Sequence, residues 1–124
     1  SDRDWSSDVC SSDLWAEDQA HKFLIEQGLK LLCRNYNCQF GELDIIMKDQ
    51  AILVIVEVRF RKSSRYGTAA ESITVAKQTK IMNTANHYLA AHPHQGPIRF
   101  DAIAIAPDAT GENHVNCIKN AFQA

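Results

Sequence analysis

The stretch "AILVIVEVRFR", Ala51 to Arg61, decides how this chain folds. It is the longest β-type run in the sequence, rich in Val and Ile, and reads as a central strand. Yet it carries a carboxylate at Glu57 and a guanidinium at Arg59. A lone charge is expensive to bury, so a strand that accepts one pairs it, solvates it or gives it a metal. Side chains alternate between the faces of a strand. Val54, Val56, Val58 and Phe60 therefore point one way, and Leu53, Ile55, Glu57 and Arg59 the other. Glu57 and Arg59 share a face at about 7 Å.

The neighbouring stretches supply the rest of a sheet. Upstream, "FGELDIIMK" (Phe40 to Lys48) is a second strand, with Lys48-Asp49-Gln50 as the hairpin connection. Glu42 and Asp44 share a face there, and the hairpin can bring Asp44 beside Glu57. Before it, "LKLLCRNYNC" reads as the first strand. "WAEDQAHKFLIEQG" places Ala16, Ala20, Phe23, Leu24 and Gln27 on one helical stripe, and Gly28 is a stop signal.

Downstream, "KSSRYGTAAES" is a polar loop, followed by a helix from Thr74 to Ala91 with Gln78, Ile81, Ala85 and Tyr88 on one face. Pro93, Gly96 and Pro97 break the chain, "IRFDAIAIAP" forms another strand, and "ENHVNCIKNAF" closes with a short element. A hairpin and a helical crossover to a further strand imply an α/β fold with a mixed sheet flanked by helices.

At 124 residues, with 45% hydrophobic and 23% charged residues, the chain is one soluble globular domain. No apolar run reaches the roughly 20 residues that span a bilayer, and no secretory signal is visible, so a cytoplasmic location is expected. "SDRDWSSDVCSSDL", Ser1 to Leu14, shows no helical or strand period. Its "DWSSDVCSSDL" looks like a translated sequencing adapter; the alternative is a flexible polar leader. The fold is accordingly expected in residues 15–124, with 1–14 as a non-native or disordered leader.

Setting those residues aside leaves 12 basic and 11 acidic residues and moves the net charge from −2 to +1. Any nucleic-acid affinity must then come from local patches. Cys33, Cys38, His87, His92, His94 and His114 match no usual zinc-ligand spacing, and the thiols read as reduced.

Two carboxylates converging on one point repel, and each raises the other's pKa unless a cation sits between them. Hard oxygen ligands suit Mg²⁺ or Mn²⁺, which keep several waters and can hold a phosphate. Periodicity alone also allows Glu57 to pair with Arg59 or Lys48 on a half-solvated sheet.

"GELDIIMKDQAILVIVEVRFR" resembles the Asp-x(n)-Glu-x-Lys core of the PD-(D/E)xK nuclease superfamily, which includes archaeal Holliday-junction resolvases. More closely, the chain resembles the YraN family of small bacterial proteins. That likeness rests on "AEDQAHKFLIEQG", "RNYNCQFGELDII", "VIVEVRFR", "AKQTKIMNTANHYL", "IRFDAIAI" and "IKNAF" in this order. It implies a restriction endonuclease-like α-β-β-β-α-β core and metal-dependent hydrolysis of DNA phosphodiesters, with branched or damaged DNA as candidate substrates.

By resemblance, Asp44 and Glu57 are metal ligands, the Val58 carbonyl is a third, and Arg59 is the catalytic cation. Glu17 sits where related resolvases place a further acid; an ordinary helix N-terminal acid reads equally well. Glu42 is a supporting or surface residue. Gln78 either hydrogen-bonds the site or is a structural amide. Arg61, Lys62 and Arg65 are candidate DNA phosphate contacts, or a solvated basic loop. Related resolvases are dimers, which makes a homodimer a candidate assembly.

The departure is Arg59, where the family pattern has Lys. Arg keeps the charge and grips phosphate in a fork, but it does not titrate near neutral pH. Turnover is therefore more in question than binding, and a catalytically impaired nucleic-acid-binding protein is the alternative. Lys77 or Lys80 are candidates for a relocated ammonium.

Overall fold

The computed structural model describes residues 3–60, 73–107 and 110–122, with the side chains of the first helix described from Trp15 onward. Its elements run α1 (Arg3–Glu26), β1 (Lys30–Cys38), β2 (Gly41–Asp49), β3 (Ile52–Phe60), α2 (Val75–Ala91), β4 (Ile98–Pro107) and β5 (Asn113–Phe122). The strands form one sheet in the order β1-β2-β3-β4-β5. Pairing is antiparallel except between β3 and β4, which run parallel through the α2 crossover. This is an α-β-β-β-α-β core with a fifth strand added at its edge.

Each face of the sheet is covered by one helix, as the alternation in the central strand requires. Val54 and Val56 pack with Ile45, Met47, Ile103 and Ile105 beneath Ala16, Ala20 and Leu24 of α1. Leu53 and Ile55 pack with Leu43, Phe100 and Ala102 beneath Ile81, Ala85 and Tyr88 of α2. The small Ala16 and Ala20, both fully buried, let α1 lie close on the valines.

The helix ends are built from local chemistry. At the end of α1, Gly28 adopts φ 95 and donates to Ile25 O at 3.0 Å, while Leu29 N–H reaches Leu24 O at 3.1 Å. This is a Schellman closure, which places a left-handed residue where glycine is least strained, and Leu29 joins Leu24 in the same core. Thr74 caps α2, its side chain accepting the Lys77 N–H at 3.2 Å.

α1 begins at Arg3, upstream of the stripe that starts at Trp15. Two expectations change. The hairpin turn falls at Gln50-Ala51, with Gln50 at φ 56, because Asp49 still pairs with Ile52. The closing element is a full strand, paired with β4 from Pro107↔Asn113 to Phe100↔Phe122. Among the described residues, no helix is long and apolar enough to cross a membrane.

Candidate functional site

The site forms where two strands part. The β2–β3 ladder runs from Asp49↔Ile52 to Ile45↔Val56 and ends there, whereas β3 stays paired with β4 through Phe60. Beyond Ile45, β2 leaves the alternation, since Leu43 packs on the α2 side while Ile45 and Met47 pack on the α1 side. Gly41, at φ 149, passes so near α2 that an added Cβ would lie 3.1 Å from Thr84 Oγ1. The result is a notch along the free edge of β3, from Glu57 to Phe60.

Asp44 sits at the root of that notch. Its Oδ2 accepts the Val58 N–H at 2.9 Å, replacing the ladder bond that β2 no longer makes. In an extended strand the N–H and C=O of one residue face the same edge, so the Val58 carbonyl is turned toward this notch too. Burial holds the half-buried Asp44 carboxyl well above its ordinary range, and Glu57, Glu17 and Glu42 push it the same way against the Val58 N–H.

Glu57 is 5% exposed and has two cations on one oxygen. Lys77 Nζ lies 3.4 Å and Arg59 Nε 3.6 Å from its Oε2. The pairing with Arg59 follows from the shared strand face; Lys77 comes from the first turn of α2. Arg59 Nε is buried and makes no hydrogen bond among the described residues. It is Lys77, rather than Lys80, whose ammonium reaches the acidic pair.

Glu17, 8% exposed, approaches from α1 on the other side. Trp15 sets its edge on Phe60 with ring centroids 5.7 Å apart, which anchors the start of the packed part of α1 over the end of β3. Arg34 of β1 reaches back with Nη2 3.5 Å from Glu17 Oε1 and Nη1 2.9 Å from Asp18 Oδ1. Burial raises the Glu17 carboxyl above its usual range, and Arg34 works against that rise. Glu17 Oε1 remains a buried acceptor without a hydrogen bond among the described residues.

Arg34 was absent from the sequence-based site. The available signal was its register: it pairs with Ile45, whose side chain packs on the α1 face, and so it faces the helix carrying Glu17.

The remaining candidates are supporting or lie elsewhere. Gln78 donates from Nε2 to Ile73 O at 3.1 Å and holds the chain entering α2, the structural-amide alternative. Glu42 is exposed, with Asn37 Nδ2 3.5 Å from its Oε2. Arg61, Lys62 and Arg65 lie outside the described residues. Apart from these candidates, Arg99 and Asp101 share a face of β4 and pair with each other, at 2.8 and 3.0 Å.

The donor set suits a hard dication. Among the described residues, no three His, Cys, Asp or Glu side chains are gathered tightly enough to hold a metal by themselves. Mg²⁺ needs only one or two carboxylates, the rest of its shell being water or substrate oxygen. Asp44, Glu57 and the Val58 carbonyl could provide that set, and Glu17 Oε1 is a nearby unspent acceptor.

The chain is thus an α/β protein of the α-β-β-β-α-β class, with carboxylates at the fork of its central strands and cations beside them. A model of the family described as "Uncharacterised protein family UPF0102" matches residues 16–105. A UPF0102 protein of Nitrosomonas europaea is 50% identical over 107 residues, covering 86% of this chain and 89% of its own length. One from Psychromonas ingrahamii is 50% identical over 113 residues, 91% of this chain and 90% of its own. A third, from Methylococcus capsulatus, is 40% identical over 109 residues, 88% of each. The chain belongs to the UPF0102, or YraN, family.

Proposed function

We propose that this protein is a Mg²⁺- or Mn²⁺-dependent nuclease that hydrolyses DNA phosphodiesters, with branched or damaged DNA as its substrate class. One observation carries the reading. Asp44 and Glu57 meet at the strand fork, and two cations from different elements, Arg59 and Lys77, flank Glu57. Ion pairing alone would not require the half-buried Asp44 to stand within the field of a second carboxylate, an arrangement that costs stability.

In this reading Asp44, Glu57 and the Val58 carbonyl hold the dication, with Glu17 supporting its water shell. A dication held by these residues would supply Lewis-acid polarisation of the phosphodiester and activation of a water. Asp44 is fixed by the Val58 N–H, so its free oxygen has one direction in which to ligate. Arg59 stands beside Glu57 to grip a non-bridging phosphate oxygen. Arg61, Lys62 and Arg65 follow directly after β3 in the chain and would extend the phosphate contacts.

Incubating the full chain with flaps, four-way junctions and single strands in Mg²⁺ or Mn²⁺ tests this. Cutting that disappears in Asp44→Ala and Glu57→Ala supports it. Cutting that persists in both, or none in any metal, refutes it. A second reading rests on Arg59 itself: a nucleic-acid-binding protein that no longer cuts. Salt-dependent DNA binding without cleavage would select it.

A further inference from the structure

We infer that Lys77, delivered by the first turn of α2, is a second phosphate-contacting catalytic residue of the Glu57 site, matched to the charge that develops during hydrolysis. The inference rests on the nuclease reading above and names how the site compensates for Arg59. Three observations carry it. The ammonium stands 3.4 Å from Glu57 Oε2, against 3.6 Å for Arg59 Nε, so both cations address one oxygen. Asp44 and Glu57 bring two negative charges to the notch and Arg59 and Lys77 two positive ones, so a dication held by the carboxylates would leave the charge of both cations for a phosphate. Donors are also in surplus: an ammonium has three N–H groups, and Arg59 Nε makes no hydrogen bond among the described residues.

That surplus suits a particular ligand. A phosphodiester carries one negative charge, and its five-coordinate transition state carries close to two. With the two carboxylates offset by a dication, Arg59 answers the charge of the ground state and Lys77 the charge that appears on attack. Only an interaction stronger in the transition state raises turnover, so Lys77 belongs to kcat more than to KM. No covalent bond to Lys77 is formed.

Its placement is fixed rather than accidental. Thr74 Oγ1 accepts the Lys77 N–H at 3.2 Å, and Gln78 Nε2 ties the same turn to Ile73 O at 3.1 Å. The side chain is 37% exposed, so it reaches solvent and Glu57 together. α2 packs on β2 through Ile81 and Ala85, and the helix therefore cannot drift from the fork without opening that core.

The test uses the full chain and its Lys77→Gln and Lys77→Arg variants, with thermal unfolding checked for each. On a flap substrate in Mn²⁺, Lys77→Gln should lower kcat by roughly 100-fold or more, with KM changed less than about threefold, and Lys77→Arg should recover most of the rate. An unchanged kcat in Lys77→Gln, or a loss confined to KM, overturns the role.

Mn²⁺ titration by calorimetry gives a readout independent of cutting. Lys77→Gln should bind the metal severalfold more tightly, because a cation beside a ligand has gone, while Lys77→Arg should match the wild type. Equal affinity in all three places Lys77 outside the field of Glu57 and overturns the inference. A wild type that cuts nothing removes the nuclease reading and the transition-state role together. A wild type that cuts, but no faster than Lys77→Gln, removes this inference alone.

Discussion

Asp44 Oδ2 accepts the backbone N–H of Val58 at 2.9 Å, so a side chain of β2 closes the ladder where the strand itself has turned away. The same bond holds a carboxylate in partial burial beside Glu57, where both burial and charge oppose its ionisation. Asp44→Asn keeps an oxygen for Val58 and removes the repulsion. It should therefore stabilise the metal-free protein by about 1 kcal/mol, as relief of active-site frustration commonly does. Asp44→Ala leaves the Val58 N–H without its acceptor and should cost about 1–3 kcal/mol. Urea unfolding of both variants measures the contrast. Asn destabilising as much as Ala would show that repulsion at Asp44 is negligible.

The pH dependence of stability follows from the same carboxyl. Asp44 is raised well above its ordinary value of 3.8 and Glu17 is raised from 4.5, burial being the largest cause in each. Between the ordinary and raised values the folded chain holds more protons than the unfolded one, so stability falls as pH rises through that window. Above the raised values the penalty is complete and the curve levels. Unfolding in urea with excess chelator, from about pH 4 upward, should show wild type losing ground to Asp44→Asn as pH increases. A difference that stays flat or runs the other way would contradict the placement of Asp44.

Much of this was legible in the sequence because a strand has a period of two. "VIVEVRFR" fixes which side chains meet α1 and which meet α2, and Glu57 lands beside Arg59 as alternation requires. What alternation could not supply is its own failure. β2 departs from β3 after Ile45, and no residue type announces a splayed fork, so the Asp44–Val58 bond stayed hidden. Long-range partners were equally obscure: Arg34 reaches Glu17 and Asp18 across the α1–sheet interface, a pairing set by docking rather than local pattern. β5 was underestimated for a related reason. It is largely exposed and weakly alternating, and it is held by its register against β4.

Away from the notch, a buried ion pair secures the far side of the sheet. Asp101, 1% exposed, receives Arg99 Nε at 2.8 Å, Arg99 Nη2 at 3.0 Å and the Asn120 N–H at 2.8 Å. The Asn120 bond falls where the β4–β5 register shifts between Phe100 and Ala102, with Asn120 itself at φ 55. Arg99 also approaches Asp49 Oδ2 at 3.6 Å, tying β4 to the end of β2. Asp101→Ala leaves a guanidinium that is only 17% exposed with the more distant Asp49 as its remaining carboxylate, and it frees the Asn120 backbone N–H. It should cost about 3–5 kcal/mol in denaturant unfolding, whereas a surface pair would cost under about 1 kcal/mol. A loss in the surface range would mean that Arg99 finds water as readily as a partner.

Glu57→Gln separates binding from cutting. Glu57 is the anion that both Arg59 and Lys77 address, and it is also a candidate ligand of the dication. Replacing it by the neutral isostere should weaken Mn²⁺ binding by at least about tenfold, the lower bound seen even for outer-shell partners, and abolish cleavage. The same change releases two cations toward the notch. DNA binding without metal should then tighten, and the slope of log affinity against log salt should steepen by about one for each additional phosphate that a cation engages. Fluorescence anisotropy of a labelled flap duplex across a salt series reads this directly. Tighter binding together with lost cutting would place Arg59 and Lys77 on the phosphate path. Weaker binding would instead mean that Glu57 organises the two cations for DNA, and that its carboxylate serves to position them.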